Sequence, residues 1–224
     1  MRHPHAATAL SSSTAVTVPP AAAGLSSWRD FTSSDLPPML SSALECFTEQ
    51  GYHGTTIRQV AARTGLSVPG LYHHYPSKHA LLVALMSHAM SDLWTRSEQA
   101  LVEAGDSVPR RFDLLVECLV LFHARRRELA FIAYSEIRSL DPAAHGVHIA
   151  ARDRQQRLMD EIVRHGAETG LFSTPYPREA STAVITMCTG VAQWFQPDGE
   201  LVPEQLAERY RRIAFMTVGG AAPT

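Results

Sequence analysis

From residue 38 onward, apolar positions recur every three to four residues, and no stretch keeps the strict alternation of a half-buried strand. The pattern predicts an all-α fold of about nine helices. The first covers about 38–50, with Leu40, Leu44 and Phe47 on one face. Two short helices follow at about 56–63 and 68–74, and a long one runs from about 77 to 103. Gly105 and Pro109 interrupt it. Phe112, Leu115, Val116, Leu119 and Phe122 then mark a helix over 109–126, and Leu129, Ile132, Ala133 and Ile137 another over 128–139. Asp141-Pro142 ends that one, because the residue before a proline is driven out of the helical region. The last three are expected at about 146–168, 178–195 and 203–218, divided by Gly170, Pro175, Pro177 and the Pro197-Asp198-Gly199 turn.

The two short helices carry the most local information. Ile57, Val60 and Ala61 form one apolar face at i, i+3, i+4. Thr55 or Thr56 supplies a capping hydroxyl, and Gly65 stands where a left-handed residue ends a helix. Ser67 caps the next helix, and Pro69 sits in its first turn, where a missing N–H costs nothing. Two helices joined by so tight a turn make a helix-turn-helix, a unit that places its second helix in the DNA major groove.

Charge does not add to that reading. The chain has 224 residues and a formal net charge of −2. Between residues 26 and 86, Arg29, Arg58, Arg63 and Lys78 balance Asp30, Asp35, Glu45 and Glu49, so 4 − 4 = 0. The DNA argument rests on motif, with helix N-termini available to hold phosphates. Residues 1 to 30, rich in Ala, Ser, Thr and Pro, read as a flexible tail. Cys46, Cys118 and Cys188 lie far apart in apolar helices and read as buried small hydrophobes, not metal ligands. No run approaches the ~20 apolar residues that span a bilayer, and no secretion signal is evident, so no membrane partner and a cytoplasmic location are expected. Eleven histidines invite a catalytic reading, but neither H-E-x-x-H nor G-x-S-x-G occurs. No enzyme activity, cofactor or metal is expected.

Phe47, Gly51-Tyr52, Thr55-Thr56-Ile57, Gly65-Leu66-Ser67 and Gly70-Leu71-Tyr72-His73-His74-Tyr75-Pro76-Ser77-Lys78 together resemble the N-terminal domain of TetR-family transcriptional repressors. The resemblance spans about residues 37–86, and the segment after the helix-turn-helix makes it specific. It implies a DNA-binding domain at 31–86, a ligand-binding and dimerisation domain at 87–224, and operator DNA as partner of a homodimer. The DNA-binding residues it implies are Thr56, Ser67, Val68, Pro69, Gly70, Tyr72, His73 and Lys78. Tyr72 and His73 would meet bases or backbone, and Lys78 would match a family phosphate contact. Val68-Pro69-Gly70 departs from members with a polar residue there, so few direct base hydrogen bonds are expected.

In the same family the last two helices commonly pair with their copies. That maps the dimer interface onto Ala180, Val184, Val191, Phe195, Leu206, Tyr210 and Ile213. An effector pocket among the fifth to eighth helices would be lined by Phe122, Arg126, Phe131, Tyr134, Arg138, Met159, Met187 and Trp194. The stretch from Arg125-Arg126-Arg127 through Ser135-Glu136-Ile137-Arg138 and Arg152-Asp153-Arg154 to Gln193-Trp194-Phe195 more weakly resembles acyl-CoA-responsive repressors of lipid and sterol catabolism. It implies an acyl-CoA effector, its phosphates met by arginine forks. Two alternatives stay open: a sensor of a hydrophobic drug or natural product, and a DNA-binding scaffold without ligand response.

Overall fold

The computed structural model describes residues 27–32 and 36–221. Among the described residues it holds nine α-helices and no strand. They are α1 Pro38–Gly54, α2 Ile57–Thr64, α3 Val68–His74, α4 Lys78–Ala104, α5 Val108–Arg125, α6 Arg127–Ser135, α7 Pro142–Glu168, α8 Pro177–Trp194 and α9 Pro203–Val218, with a 3-10 turn at Glu136–Ser139 after α6. The all-α expectation and its nine segments match. Among the helix starts the largest shift is in α7, which begins four residues early. Asp141 accepts a hydrogen bond from Ala144 N at 2.8 Å and Pro142 takes the first turn. The Asp-Pro pair that stops one helix therefore starts the next.

Two apolar clusters divide the interior. The first gathers Phe47 and Leu40 of α1, Val60 of α2, Leu71 of α3, and Leu81, Leu82 and Leu85 of α4. The second is built around α5, whose Phe112, Leu115, Leu119 and Phe122 are buried against α4, α7, α8 and α9. Two helices belong to both halves. The long α4 gives its first half to one cluster and Leu93, Ala100 and Leu101 to the other. The short α6 turns Leu129, Ile132 and Ala133 toward the head and Ala130 toward the second cluster.

The expected tail is described only from residue 27; residues 1–26 lie outside the described residues. Its last part is not free. Trp28 is buried, and its indole N–H donates to Glu103 at 2.6 Å. Arg29 forks onto Glu117 and Glu103. Arg96, fully buried on α4, holds Asp92 at 2.7 Å, donates to the carbonyls of Trp28 and Asp30 at 2.8 Å each, and lies 4.0 Å over the Phe31 ring. A tryptophan in a polar, proline-rich run marks such an anchor, since its large apolar surface is stabilised by burial.

Candidate DNA-reading head and effector cavity

Local hydrogen bonds set the geometry of the head. Thr56 caps α2 by accepting from Gln59 N, while the Gln59 side chain accepts from Thr56 N at 2.7 Å, a reciprocal capping box. Gly65 ends the helix at φ 69°, a conformation that L side chains resist. Ser67 then caps α3, accepting from Gly70 N at 3.2 Å. Buried Leu71 fixes α3 to the core, which leaves Pro69, Tyr72, His73 and His74 on the outer side. Thr56 and Ser67 are also exposed, so both helix starts open outward. Val68 and Gly70 are half-buried, and Val68 packs against the head core. Leu66, in the turn between α2 and α3, is exposed.

Lys78, the expected phosphate contact, is engaged within the chain. Its ammonium donates to the carbonyls of Tyr52 at 2.7 Å, Thr55 at 2.8 Å and His53 at 3.4 Å, and lies 4.5 Å from the Tyr52 ring centroid. An ammonium has three N–H donors, and here all three serve the end of α1. The side chain ties α4 to the carbonyls that the α1 terminus leaves without helical partners. Arg63 is likewise engaged, forked onto Glu49 at 2.7 and 2.9 Å.

The C-terminal half, the candidate sensor half, has an open cavity of about 320 Å³ lined by α4 to α8. Leu93, Leu119, Phe122, Ala130, Ala133 and Ile185 supply apolar wall; His123, Tyr134, His148, Arg152, Asp153 and Gln155 supply polar groups. A second cavity of about 560 Å³ lies between α4 and α7, lined by Trp94, Val147 and Arg154 among others. Met90 and His148 line both. Arg154 stacks over Trp94 at 3.4 Å and meets Glu98 at 3.9 Å.

Of the residues expected at the pocket, Phe122 and Tyr134 line it. Met159 is fully buried in the apolar core and Met187 packs beside that core; neither lines the cavity. Phe131 and Trp194 face outward, Trp194 stacked on Tyr210 with centroids 6.3 Å apart. Arg126 lies on another side of α5, 3.7 Å from Asp92 and near Phe31, and Arg138 is exposed in the 3-10 turn. The arginines at these two cavities are Arg152 and Arg154, whereas Arg126 lines a separate one of about 350 Å³ with Arg125 and Arg127. Helical periodicity finds an apolar face but not which neighbour it meets, and the mistaken lining residues have that origin.

The same reason corrects the interface residues. Ala180, Val184, Val191, Phe195 and Leu206 are buried within this chain against α5 and its neighbours, so they do not face a second copy. Tyr210 is half-buried, and only Ile213 of that set is exposed. The outer faces of α8 and α9 show Trp194, Ile213 and Met216 instead.

His123, His148 and Gln155 escaped the sequence reading, although a signal existed. For the two on α7, positions 148, 155, 159, 162 and 166 form one inward stripe, apolar in its second half and with His148 and Gln155 in its first, and exposed Arg152 lies between those two. Burial pushes both histidines down to about 4; for His148 the Arg152 cation adds to the effect. Both rings are therefore neutral near pH 7.

Residues 39–85 match the model of the bacterial regulatory proteins of the tetR family, and residues 76–218 that of the tetracyclin repressor-like C-terminal domain. The chain is 26% identical over 180 residues to the HTH-type transcriptional repressor KstR2 of Mycobacterium tuberculosis, covering 78% of this chain and 88% of that one. Its fold is similar to that of the regulator PfmR from Thermus thermophilus, with a TM-score of 0.74, 29% identity, and 83% and 99% of the two chains covered. It is also similar to AibR, solved in complex with isovaleryl coenzyme A and operator DNA, with a TM-score of 0.70, 25% identity, and 82% and 97% covered.

Proposed function

The chain belongs to the TetR family of bacterial regulatory proteins, and from this we propose that it is a homodimeric transcriptional repressor that leaves a palindromic operator when an acyl-CoA thioester binds. The proposed division is a DNA-binding domain at residues 31–86 and a ligand-binding and dimerisation domain at 87–224. In the head, α3 enters the major groove. Tyr72, His73 and Pro69 on its outer side meet the DNA, with Thr56 and Ser67 turning the starts of α2 and α3 toward phosphates. With a side chain as apolar as Val68 at the front of α3, much of the affinity comes from backbone contacts and groove shape. Two heads on a two-fold axis match two half-sites. The outer faces of α8 and α9, with Trp194, Ile213 and Met216 exposed, are the proposed interface.

The observation that carries the effector reading is the pair of adjoining cavities, apolar inside and with Arg152 and Arg154 among their lining. Guanidinium forks suit the phosphates of coenzyme A, and the apolar wall suits an acyl group. The likeness to AibR, solved with isovaleryl coenzyme A and operator DNA, supports the same choice. Helices α4 and α6 provide the link, since each gives one face to the cavity and another to the head core. Reversing a 1:99 population requires about 5.5 kcal/mol of differential affinity between the DNA-competent and incompetent states. A second reading, an uncharged hydrophobic effector, is favoured by the location of Arg126 and Arg138 away from the cavity. The test is release of labelled promoter DNA, taken from upstream of the protein's own gene. Long acyl-CoA should release it at concentrations where free coenzyme A does not. Equal release by both, or release only by uncharged hydrophobes, rejects the thioester.

A further inference from the structure

Three buried side chains at the cavity lined by α4 to α8, His123, His148 and Gln155, turn acceptors toward it, while the donors Arg152 and Tyr134 stand at its exposed side. His148 interacts with the Ala133 backbone carbonyl; because its Nε2 has no hydrogen-bond partner, that contact falls to Nδ1, which then carries the proton. Its Nε2 is buried, and among the described residues it has no hydrogen-bond partner. In the neutral ring that atom is a bare acceptor. Gln155 is oriented by Ser97, whose hydroxyl donates to the Leu93 carbonyl at 2.8 Å and so has only lone pairs for Gln155. The Gln155 amide nitrogen donates to it at 2.8 Å. That fixes which end of the amide is oxygen, and the buried Oε1 likewise has no partner among the described residues. His123 repeats the pattern. Its Nδ1 lies 2.7 Å from the Leu119 carbonyl, so Nδ1 carries the proton and Nε2 is the acceptor.

His148 and Gln155 are both at least nine-tenths buried, both line this cavity, and seven residues apart they share one face of α7. A ketone or ester oxygen placed against them would meet lone pair with lone pair. Leaving such acceptors unpaired on binding loses affinity, whereas an O–H or N–H restores a bond to each.

Resting on the reading of this cavity as the effector site, we propose that its cognate ligand is a hydrogen-bond donor: a largely apolar molecule whose hydroxyl or amide N–H groups are received by His148 Nε2 and Gln155 Oε1. Within the acyl-CoA reading there are two sources of that chemistry, a hydroxyl on the acyl group and the two amide N–H groups of the pantetheine arm. The site selects on donor against acceptor and not on size alone. Where the donor is an acyl hydroxyl, this narrows the effector to an oxidation state of the acyl group.

The test is calorimetric titration of the full chain with hydroxydecanoyl-CoA, oxodecanoyl-CoA and decanoyl-CoA, and with testosterone and androstenedione as a hydroxyl and ketone pair lacking coenzyme A. Each titration is repeated on Gln155→Leu and His148→Phe, with thermal melts to confirm folding. The wild-type comparison needs no variant, so it stands if a substitution prevents folding. The expected result is about tenfold tighter binding of hydroxydecanoyl-CoA than of oxodecanoyl-CoA, falling to within about twofold in the variants. Equal binding of all three esters, each weakened about tenfold by either substitution, also supports the inference and assigns the donors to pantetheine. Equal binding that the substitutions leave unchanged overturns it while the thioester effector survives. If no ester binds but testosterone exceeds androstenedione, the donor rule survives and the thioester fails. If neither set binds, or the steroid pair alone binds without preference, both are overturned.

Discussion

The head and the sensor half are made of the same material, apolar-striped helices, yet they differ in where polar side chains go. Among the described residues before His88, Thr55 is the one buried polar side chain, and it donates to the Cys46 and Gly51 carbonyls at the turn that follows α1. Beyond that point Asp92, Arg96, Ser97, Asp113, His123, His148, Gln155 and Ser181 are all buried. The head spends its polar groups on caps and leaves a surface for DNA. The sensor buries them in networks that shape a cavity and tie down the Trp28 segment. Buried polar groups lower tolerance to change, because each loses solvent and depends on one or two partners. The two halves should therefore respond very differently to substitution and to pH.

The largest expected effect is at Arg96. Arg96→Leu leaves Asp92 buried with only the more distant Arg126, 3.7 Å away, and releases the carbonyls of Trp28 and Asp30. Removing one member of a buried pair costs roughly 3–5 kcal/mol. Urea denaturation should show a loss of that order, and the double change Arg96→Leu with Asp92→Leu should recover part of it. A loss under about 1 kcal/mol would mean that the sensor's buried charges are not what separates it from the head.

Acid provides the next test. His123 is held neutral in the fold, with a pKa pushed down to about 4 by burial, against an ordinary value of 6.5. Below pH 6.5 the unfolded chain takes up a proton that the folded chain refuses. Stability from this group is thus full above about pH 6.5 and is lost as pH falls toward 4, on the order of 3 kcal/mol over the window. His148 acts in the same direction. Unfolding free energies measured between pH 7.5 and 4.5 should fall, and His123→Asn should flatten the curve. An identical slope in that variant would assign the acid sensitivity elsewhere.

These contrasts also explain what could be read from residues alone. The head's meaning lies in local order: Thr56 to Gln59, Gly65, Ser67 to Gly70, each within four residues of its partner. Such spacing survives in the sequence, and so the helix-turn-helix and its family were legible there. The cavity brings together Met90, His123, Tyr134, His148 and Ile185 from five helices, and no local period encodes that meeting. The interface failed for a related reason. Val184 and Val191 are the most regular apolar positions of α8, and regularity marks the face that meets its own chain's core. What such regularity leaves exposed is the remainder, such as Trp194 and Met216.

A smaller effect is expected from the α2 cap. Thr56→Ala removes the hydroxyl that accepts from Gln59 N and leaves the backbone arm of the capping box, which costs about 1 kcal/mol. Hydrogen exchange should speed up in α2 amides while α5 amides keep their protection, because the cluster around α5 does not include α2. DNA affinity should fall with the local loss. Equal acceleration in α5 would show that head and sensor unfold as one unit, and the comparison drawn above would then apply to packing but not to stability.

The smallest and most discriminating change is Lys78→Ala. A lysine that neutralises a phosphate contributes about 0.9 to the slope of log affinity against log salt. Here the ammonium is committed to the carbonyls of Tyr52, Thr55 and His53, so a phosphate would have to displace one of them. The expected outcome is a head less stable by about 1 kcal/mol, the net value of such hydrogen bonds, and a salt slope altered by clearly less than one phosphate's worth. Fluorescence anisotropy on a labelled operator at several salt concentrations separates the two roles. A slope that falls by about 0.9 with unchanged stability would mean that DNA draws the ammonium off the end of α1, and the strut would then be a resting position that operator binding breaks.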